Sequence, residues 1–224
     1  ALDKAVNEET AAVILEVVQG EGGVYPASLE YIQAARRICD ERGALLIVDE
    51  IQTGFGRTGK MFAVQHFNVT PDLLTCAKSI AGGVPMGAVL IGPNVKNLTP
   101  GVHGSTFGGN PLSCAAANAA LDVMREEDLP GQAAAKGTYL MDKLKEINSP
   151  NIREVRGIGL MVGIEMKQKV TGYIKALQEK KIIALNAGLT VVRLLPPLVI
   201  TYEQIDHLVE VLTEVLAQTT DDGQ

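Results

Sequence analysis

The sequence predicts an α/β fold, a mainly parallel sheet flanked by helices, followed by a small α+β C-terminal domain. Two short apolar runs rich in β-branched residues, Ala12–Val18 and Ala44–Val48, read as buried parallel strands. One amphipathic helical stretch separates them, and that strand–helix–strand order is the unit from which parallel sheets are built. After Pro150 the texture changes to short paired strands and amphipathic helices, so residues 1–125 are expected to form the α/β part and residues 126–224 the small domain.

Taken in order, Asp3 to Thr10 is polar, Ala12–Val18 is the first strand, and Gln19–Gly23 is a Gly-rich loop. Ser28 is placed to cap a helix that runs to Arg42 and ends at Gly43, with Leu29, Ile32, Ala35, Arg36 and Cys39 as its stripe. Ala44–Val48 follows as a strand, then a loop from Thr53 to Lys60, a weaker strand at Leu73–Cys76, a turn at Gly82–Gly83 and a strand at Met86–Ile91. A polar, Gly-rich loop spans Gly101–Asn110. Pro111 suits the first turn of an Ala-rich helix that runs to about Arg125. Pro130 and Gly131 punctuate the chain before a helix that ends near Ile147. In the last third, Arg153–Val155 and Leu160–Met166 read as strands paired about Gly157–Gly159. A helix at Thr171–Lys181, strands at Ile182–Leu185 and Val191–Leu194, and a helix at Tyr202–Leu216 complete the chain.

Composition excludes several classes of function. The hydrophobic fraction of 46% over 224 residues is ample for a packed core, and the net charge is −6 with no basic run. Nucleic acid is not an expected partner, because a phosphate backbone needs clustered Lys and Arg. Cys39, Cys76 and Cys114 are scattered, without Cys-x-x-Cys spacing or a nearby His, so neither a disulfide framework nor a metal site is expected and the location is read as cytoplasmic. No stretch approaches the roughly 20 apolar residues of a membrane helix. The chain also begins without a signal peptide, on residues that read like the middle of a domain, which points to an N-terminally truncated piece.

Gly54-Phe-Gly-Arg-Thr-Gly59-Lys60 matches most of a phosphate-binding P-loop, and Leu45–Glu50 resembles the acidic strand of an ATPase. Met61 after the lysine offers no hydroxyl to Mg²⁺, and the glycines follow the acidic strand instead of opening a helix, so the NTPase reading fails.

Different chemistry is carried by Asp49 and Lys78. Asp49 and Glu50 stand at the C-terminal end of a predicted strand, where open α/β sheets place their ligands. Lys78, in Thr-Cys-Ala-Lys-Ser, follows the next predicted strand among small and apolar residues, a setting in which a lysine can lose its proton and act as an amine nucleophile. A strand-end Asp and a strand-end Lys about thirty residues later are what pyridoxal phosphate requires. The Asp keeps the pyridine nitrogen protonated, while the Lys holds the aldehyde as an imine and moves the proton.

At these residues the chain resembles the class III aminotransferases. The resemblance rests on Val48-Asp-Glu-Ile-Gln-Thr-Gly-Phe-Gly-Arg-Thr-Gly59, Pro71-Asp-Leu-Leu-Thr-Cys-Ala-Lys78 and Gly82-Gly-Val-Pro-Met-Gly-Ala88. Gly104-Ser-Thr-Phe-Gly-Gly-Asn-Pro111 and Arg193-Leu-Leu-Pro-Pro197 extend it toward the acetylornithine branch. It implies an aspartate-aminotransferase-like (fold type I) chain, with residues 1–125 the later part of the large cofactor-binding domain. It also implies that Asp49 pairs with the ring nitrogen, that Glu50 stands beside it at the cofactor, that Ile51 packs on a ring face and that Gln52 reaches the ring's phenolic oxygen. Lys78 is then the catalytic lysine. Thr106 binds the cofactor phosphate of a neighbouring subunit and Ser105 lies beside the substrate, so the enzyme is a homodimer with a shared active site.

Arg193 resembles the arginine that holds the α-carboxylate of 2-oxoglutarate or glutamate, for which a planar fork is well suited. Glu21 resembles the glutamate that covers this arginine when an ω-amino substrate binds. Arg57, Asp72, Gly157 and Gly159 fall in matching motifs and are read as structural, while His66 and His103 are given no role. The family commonly has Pro where Val17 stands, and its N-terminal part, with the phosphate cradle and a stacking aromatic, is not among these residues.

The implied reaction moves the terminal amino group of N-acetylornithine, or of an N-acylated or carrier-linked lysine, to 2-oxoglutarate in arginine or lysine biosynthesis. Ile152-Arg-Glu-Val-Arg-Gly-Ile-Gly-Leu-Met-Val-Gly163 and Ala184-Leu-Asn-Ala-Gly188 are similar to relatives that act on lysine attached to a small acidic amino-group carrier protein. Acetylornithine and carrier-linked lysine stand equally. Two alternatives are a glutamate-1-semialdehyde-type aminomutase, which needs no external 2-oxoglutarate, and a non-catalytic remnant.

Overall fold

The computed structural model describes residues 1–218. In chain order the elements are α1 (Leu2–Ala5), β1 (Ala12–Leu15), β2 (Val18–Gln19), β3 (Tyr25–Pro26), α2 (Leu29–Arg42), β4 (Leu45–Asp49), β5 (Leu73–Cys76), β6 (Ala88–Ile91), α3 (Pro111–Glu126), α4 (Leu129–Lys145), β7 (Ile152–Ile158), β8 (Met161–Met166), α5 (Thr171–Glu179), β9 (Leu185–Ala187), β10 (Val191–Leu194) and α6 (Tyr202–Gln218). Short 3₁₀ turns occupy Ala63–Phe67 and Lys78–Ala81. Two units emerge, one of residues 1–17, 27–55 and 60–128, the other of residues 18–26, 56–59 and 129 onward.

In the first unit the sheet order is β1-β4-β5-β6. The first three strands are parallel and β6 returns antiparallel to β5. The predicted cap of α2 is present: Ser28 Oγ accepts the Tyr31 N–H at 3.1 Å, an interaction worth about 1 kcal/mol. Gly43, at φ 69°, ends that helix in the left-handed conformation. Arg36, expected in the apolar stripe, pairs instead with Asp72 and Asp40, both at 2.7 Å. Asp72 ties three segments together, accepting also from Leu46 N and Asn94 Nδ2 at 2.7 Å each.

The first strand ends at Leu15, short of the predicted Val18. Val17 is fully buried without sheet pairing, and Val18 pairs with Pro26 in a separate ribbon. Continuous apolarity reports burial, not the length of a hydrogen-bonded ladder. Leu29 is likewise exposed, so the apolar stripe of α2 begins a turn later.

The second unit has an antiparallel sheet of order β7-β8-β10-β9. Alternation along each strand divides its two faces. Val162, Ile164 and Met166 of β8, with Val192 and Leu194 of β10, pack on Leu140 and Leu144 of α4 and Ile205, Leu208 and Leu212 of α6. The opposite face meets the 18–26 segment, where Val18 and Val24 pack on Met161. That explains why β8 is buried at every residue. Gly163 is needed for the close approach, because a Cβ there would sit 2.9 Å from the Val24 Cβ.

Two boundaries in this unit differ from expectation. Pro130 and Gly131 lie inside the first turn of α4, where a missing N–H costs the helix nothing. The strand expected at Ile182–Leu185 is Leu185–Ala187. Ile182 joins the helical core without pairing, and Ile183 is exposed. Arg57 donates to the carbonyls of Leu160 and Pro196, and its burial pulls its pKa down to about 10. Among the described residues, no helix is long and apolar enough to cross a membrane, and no group of three His, Cys, Asp or Glu could hold a metal ion.

Candidate active site

In the first unit, register fixes the relation between the two residues that carry the predicted chemistry. Asp49 is the last residue of β4 and lies opposite Thr75 of β5. Lys78 follows three residues later and begins the Lys78–Ala81 turn. Neighbouring strands lie about 4.8 Å apart and three residues of chain reach at most about 11 Å, so the two Cα atoms lie within about 16 Å. An extended lysine, one six-membered ring and the hydrogen-bonded aspartate side chain together span that interval.

Asp49 is half-buried, and its Oδ1 accepts the Ile51 N–H at 2.9 Å. The bond points the carboxylate past the strand end, with its second oxygen available to a donor. Beside it, the Thr75 hydroxyl is buried and has no hydrogen-bond partner. An orphaned hydroxyl next to a strand-end carboxylate fits a polar group arriving from outside the chain. Ile51 and Gln52, in the turn that follows, are half-buried.

Lys78 has φ 50°, in the left-handed region that non-glycine residues seldom adopt. Backbone strain of this kind is concentrated where a side chain must be aimed. The sequence predicts small and apolar neighbours around the amine, but Lys78 is exposed in this chain. Its neighbours Ile80 and Ala81 are buried, and α3 packs against their turn. The lysine is therefore anchored through the residues after it.

Glu50, expected beside the cofactor, has 0% exposure. Its carboxylate accepts from the Thr53 hydroxyl at 2.5 Å, Ala63 N at 3.0 Å and Val64 N at 2.7 Å. Burial holds the carboxyl above its usual pKa against these donors. The geometry makes Glu50 the post around which the 51–64 loop is wound, and it leaves no oxygen for a ligand. Adjacent strand residues point to opposite faces, so Asp49 and Glu50 could not both serve one site.

Ser105 and Thr106 lie in an exposed loop, followed by Phe107 with 80% exposure. Asn110 closes that loop by accepting the Ser113 N–H at 3.0 Å as the cap of α3.

In the second unit, Arg193 of β10 is 6% exposed and donates through Nη1 to Glu21 Oε1 at 2.7 Å. Glu21 is itself 70% exposed in its side chain. The two predicted partners thus meet across 172 residues of sequence. A buried guanidinium that holds a surface carboxylate can exchange that carboxylate for another.

The loop that carries Glu21 is held by a residue to which the sequence alone assigns no role. Arg156 of β7 donates through Nε to Gly23 O at 3.0 Å and Val24 O at 3.1 Å, and through Nη2 to Gly23 O at 2.7 Å. Its guanidinium lies 3.7 Å from the centre of the Tyr25 ring. Glu165 accepts from Arg156 at 2.5 Å and from Arg153 at 2.7 Å, and these partners hold its carboxyl below the usual range. The available signal was period-two alternation, which puts Arg156, Gly163 and Arg193 on one face of three adjacent strands.

A carboxylate at the end of β4 and a lysine just after the neighbouring parallel strand β5 are the arrangement of an α/β chain of the fold type I kind. Residues 1–216 match the model of the aminotransferase class-III family, and the chain belongs to that family. It is 58% identical over 217 residues to the LysW-aminoadipate semialdehyde transaminase of Deinococcus radiodurans, covering 96% of this chain and 51% of that protein. The acetylornithine aminotransferase of Bacillus subtilis is 48% identical over 218 residues, covering 96% of this chain and 57% of that one. A solved ornithine aminotransferase from Toxoplasma gondii, described with partial occupancy of PLP at its active site, superposes with a TM-score of 0.94 at 38% identity, covering 99% of this chain and 54% of that chain. The chain spans about half the length of the curated relatives it matches.

Proposed function

We propose that the full-length protein is a pyridoxal-phosphate-dependent ω-aminotransferase that moves the terminal amino group of an N-acylated or carrier-linked diamino acid to 2-oxoglutarate. The observation that carries this reading is the pairing of Asp49, at the end of β4, with a left-handed lysine just after the neighbouring strand β5. When bound, the cofactor supplies an electron sink for charge released at the substrate's ω-carbon.

The residues divide the remaining work. Asp49 holds a proton at the ring nitrogen with the oxygen that Ile51 does not use. Ile51 covers a ring face and Gln52 meets the ring's phenolic oxygen. Lys78 would take the proton from the substrate's ω-carbon and pass it to the cofactor's C4′ carbon, a role that needs a flexible amine on a fixed base. Thr106 holds the phosphate of a second subunit and Ser105 contacts the substrate. The exposed Phe107 and Leu112 around them supply apolar surface for that subunit to cover. Arg193 binds the α-carboxylate of 2-oxoglutarate once Glu21 has moved away, and Glu21 shields it while the ω-amino substrate reacts. The cofactor part is put at residues 1–125, the small domain at 126–224, and the enzyme in the cytoplasm, where three free thiols stay reduced.

Of the two substrate readings, the higher identity to the Deinococcus protein favours the carrier-linked semialdehyde or lysine over N-acetylornithine. Supplying the cofactor-loaded full-length protein with each donor and 2-oxoglutarate tests both. Glutamate formation from the carrier-linked donor, well above that from N-acetylornithine, is the expected outcome. No glutamate from either donor rejects the proposed reaction.

A further inference from the structure

The ion pair between Arg193 and Glu21 depends on where the 18–26 segment lies, and that is set by a separate group of residues. Arg156, Gly163 and Arg193 form one row across β7, β8 and β10, since Arg156 and Arg193 both stand opposite Gly163. The two arginines are therefore two strand spacings apart, about 10 Å, with a gap between them where Gly163 has no side chain. The loop crosses this gap. Val24 fills it, fully buried and held at φ 54°, a conformation that a β-branched residue avoids unless its surroundings impose it. On one side Arg156 grips the Gly23 and Val24 carbonyls and stacks on Tyr25. On the other, Arg193 holds Glu21.

We propose that Arg156 and Tyr25, braced by Glu165, are positioning residues that set how readily Glu21 gives up Arg193, and so the balance between the two half-reactions. This rests on the roles proposed above for Arg193 and Glu21. Arg156 acts through the loop and not on substrate or cofactor directly. Three donated hydrogen bonds fix the backbone two and three residues beyond Glu21, so the glutamate reaches Arg193 from a held loop. Tyr25 seals the arrangement: its ring covers the guanidinium and its hydroxyl reaches Glu165 at 3.4 Å. With the loop held, Glu21 competes with an incoming carboxylate from a fixed starting point. With the loop loosened, its hold on Arg193 weakens and 2-oxoglutarate gains.

The test uses the cofactor-loaded full-length protein carrying Tyr25→Leu, a change at a part-exposed position, with Tyr25→Phe as the conservative control. The two half-reactions are followed separately. Tyr25→Leu is expected to lower the KM for 2-oxoglutarate about two- to five-fold, the size of effect of one cation–π contact, while the KM for the ω-amine stays level or rises. Tyr25→Phe, which keeps the ring, should remain near the parent. Backbone amides of residues 20–25 should exchange faster in Tyr25→Leu than in Tyr25→Phe, with or without cofactor. Equal changes in both half-reactions, or no change in a variant with parental circular dichroism and melting temperature, overturns the proposal. Arg193→Ala separates it from the reading on which it rests. If that variant raises the KM for 2-oxoglutarate while Tyr25→Leu does nothing, the clamp alone is wrong. Should Arg193→Ala leave that KM unchanged, the clamp has nothing to position and both ideas fall.

Discussion

Lys78 carries two separable demands, a chemical one on its amine and a conformational one on its backbone. Lys78→Ala should remove the visible absorbance of lysine-bound cofactor from the full-length protein along with turnover, and a retained band in an absorbance scan would remove Lys78 from its role. The backbone makes its own prediction, because at φ 50° any side chain beyond glycine is strained. Lys78→Gly should exceed Lys78→Ala in stability by about 1 kcal/mol in urea denaturation, although both lack the amine. Equal stabilities would mean the turn does not impose that geometry. Asp49→Ala should leave the fold intact, since the carboxylate makes a single hydrogen bond to the adjacent turn, yet sharply weaken cofactor retention on dialysis. Lys78 and Asp49 stand out in the sequence because each sits in a motif at the end of a predicted strand. Arg156 does not, since an arginine in a strand reads as solvated surface until the loop that covers it is known.

At the level of the element, signals carried by a few consecutive residues are legible and partner-dependent ones are not. The cap at Ser28, the stop at Gly43 and the start of α3 at Pro111 depend on a few consecutive residues, and each stands where the sequence put it. The ends of β1 and β9 depend on whether a neighbouring strand is present to pair with, which apolarity cannot report. Glu50 shows the same limit. Its place beside Asp49 suggested shared chemistry, whereas the pleat turns it toward Thr53, Ala63 and Val64. Glu50→Gln should therefore act on the loop. An amide offers one acceptor where the carboxylate offered two, so a buried N–H of Ala63 or Val64 loses its partner, at a cost of about 1–3 kcal/mol. Thermal or urea unfolding measures that cost, and a change below about 0.5 kcal/mol, the range of ordinary surface substitutions, would deny Glu50 its bracing role.

For the whole molecule, the buried carboxylates set how folding responds to acid, and they act in opposite directions. Burial tends to raise the Asp72 carboxyl, but the Leu46 N–H, the Asn94 amide and Arg36 outweigh it and hold the pKa below its usual value. The folded state thus releases this proton more readily than the unfolded chain. The stability Asp72 contributes is complete above the unfolded value of about 3.9 and is lost as pH falls through the lower folded value. Glu165 in the other unit behaves in the same sense through Arg156 and Arg153. Glu50 opposes both: its raised pKa means that ionisation costs stability as pH rises through the folded value, so acid relieves it. Asp72→Asn should accordingly lower stability at neutral pH and flatten the loss between neutrality and strong acid, because the buried one of Arg36's two titrating partners is gone. Denaturant titrations of the parent and Asp72→Asn across that range read the slope directly. A parental slope in the variant would assign the acid response to other carboxylates and reduce Asp72 to an uncharged acceptor for Leu46 and Asn94.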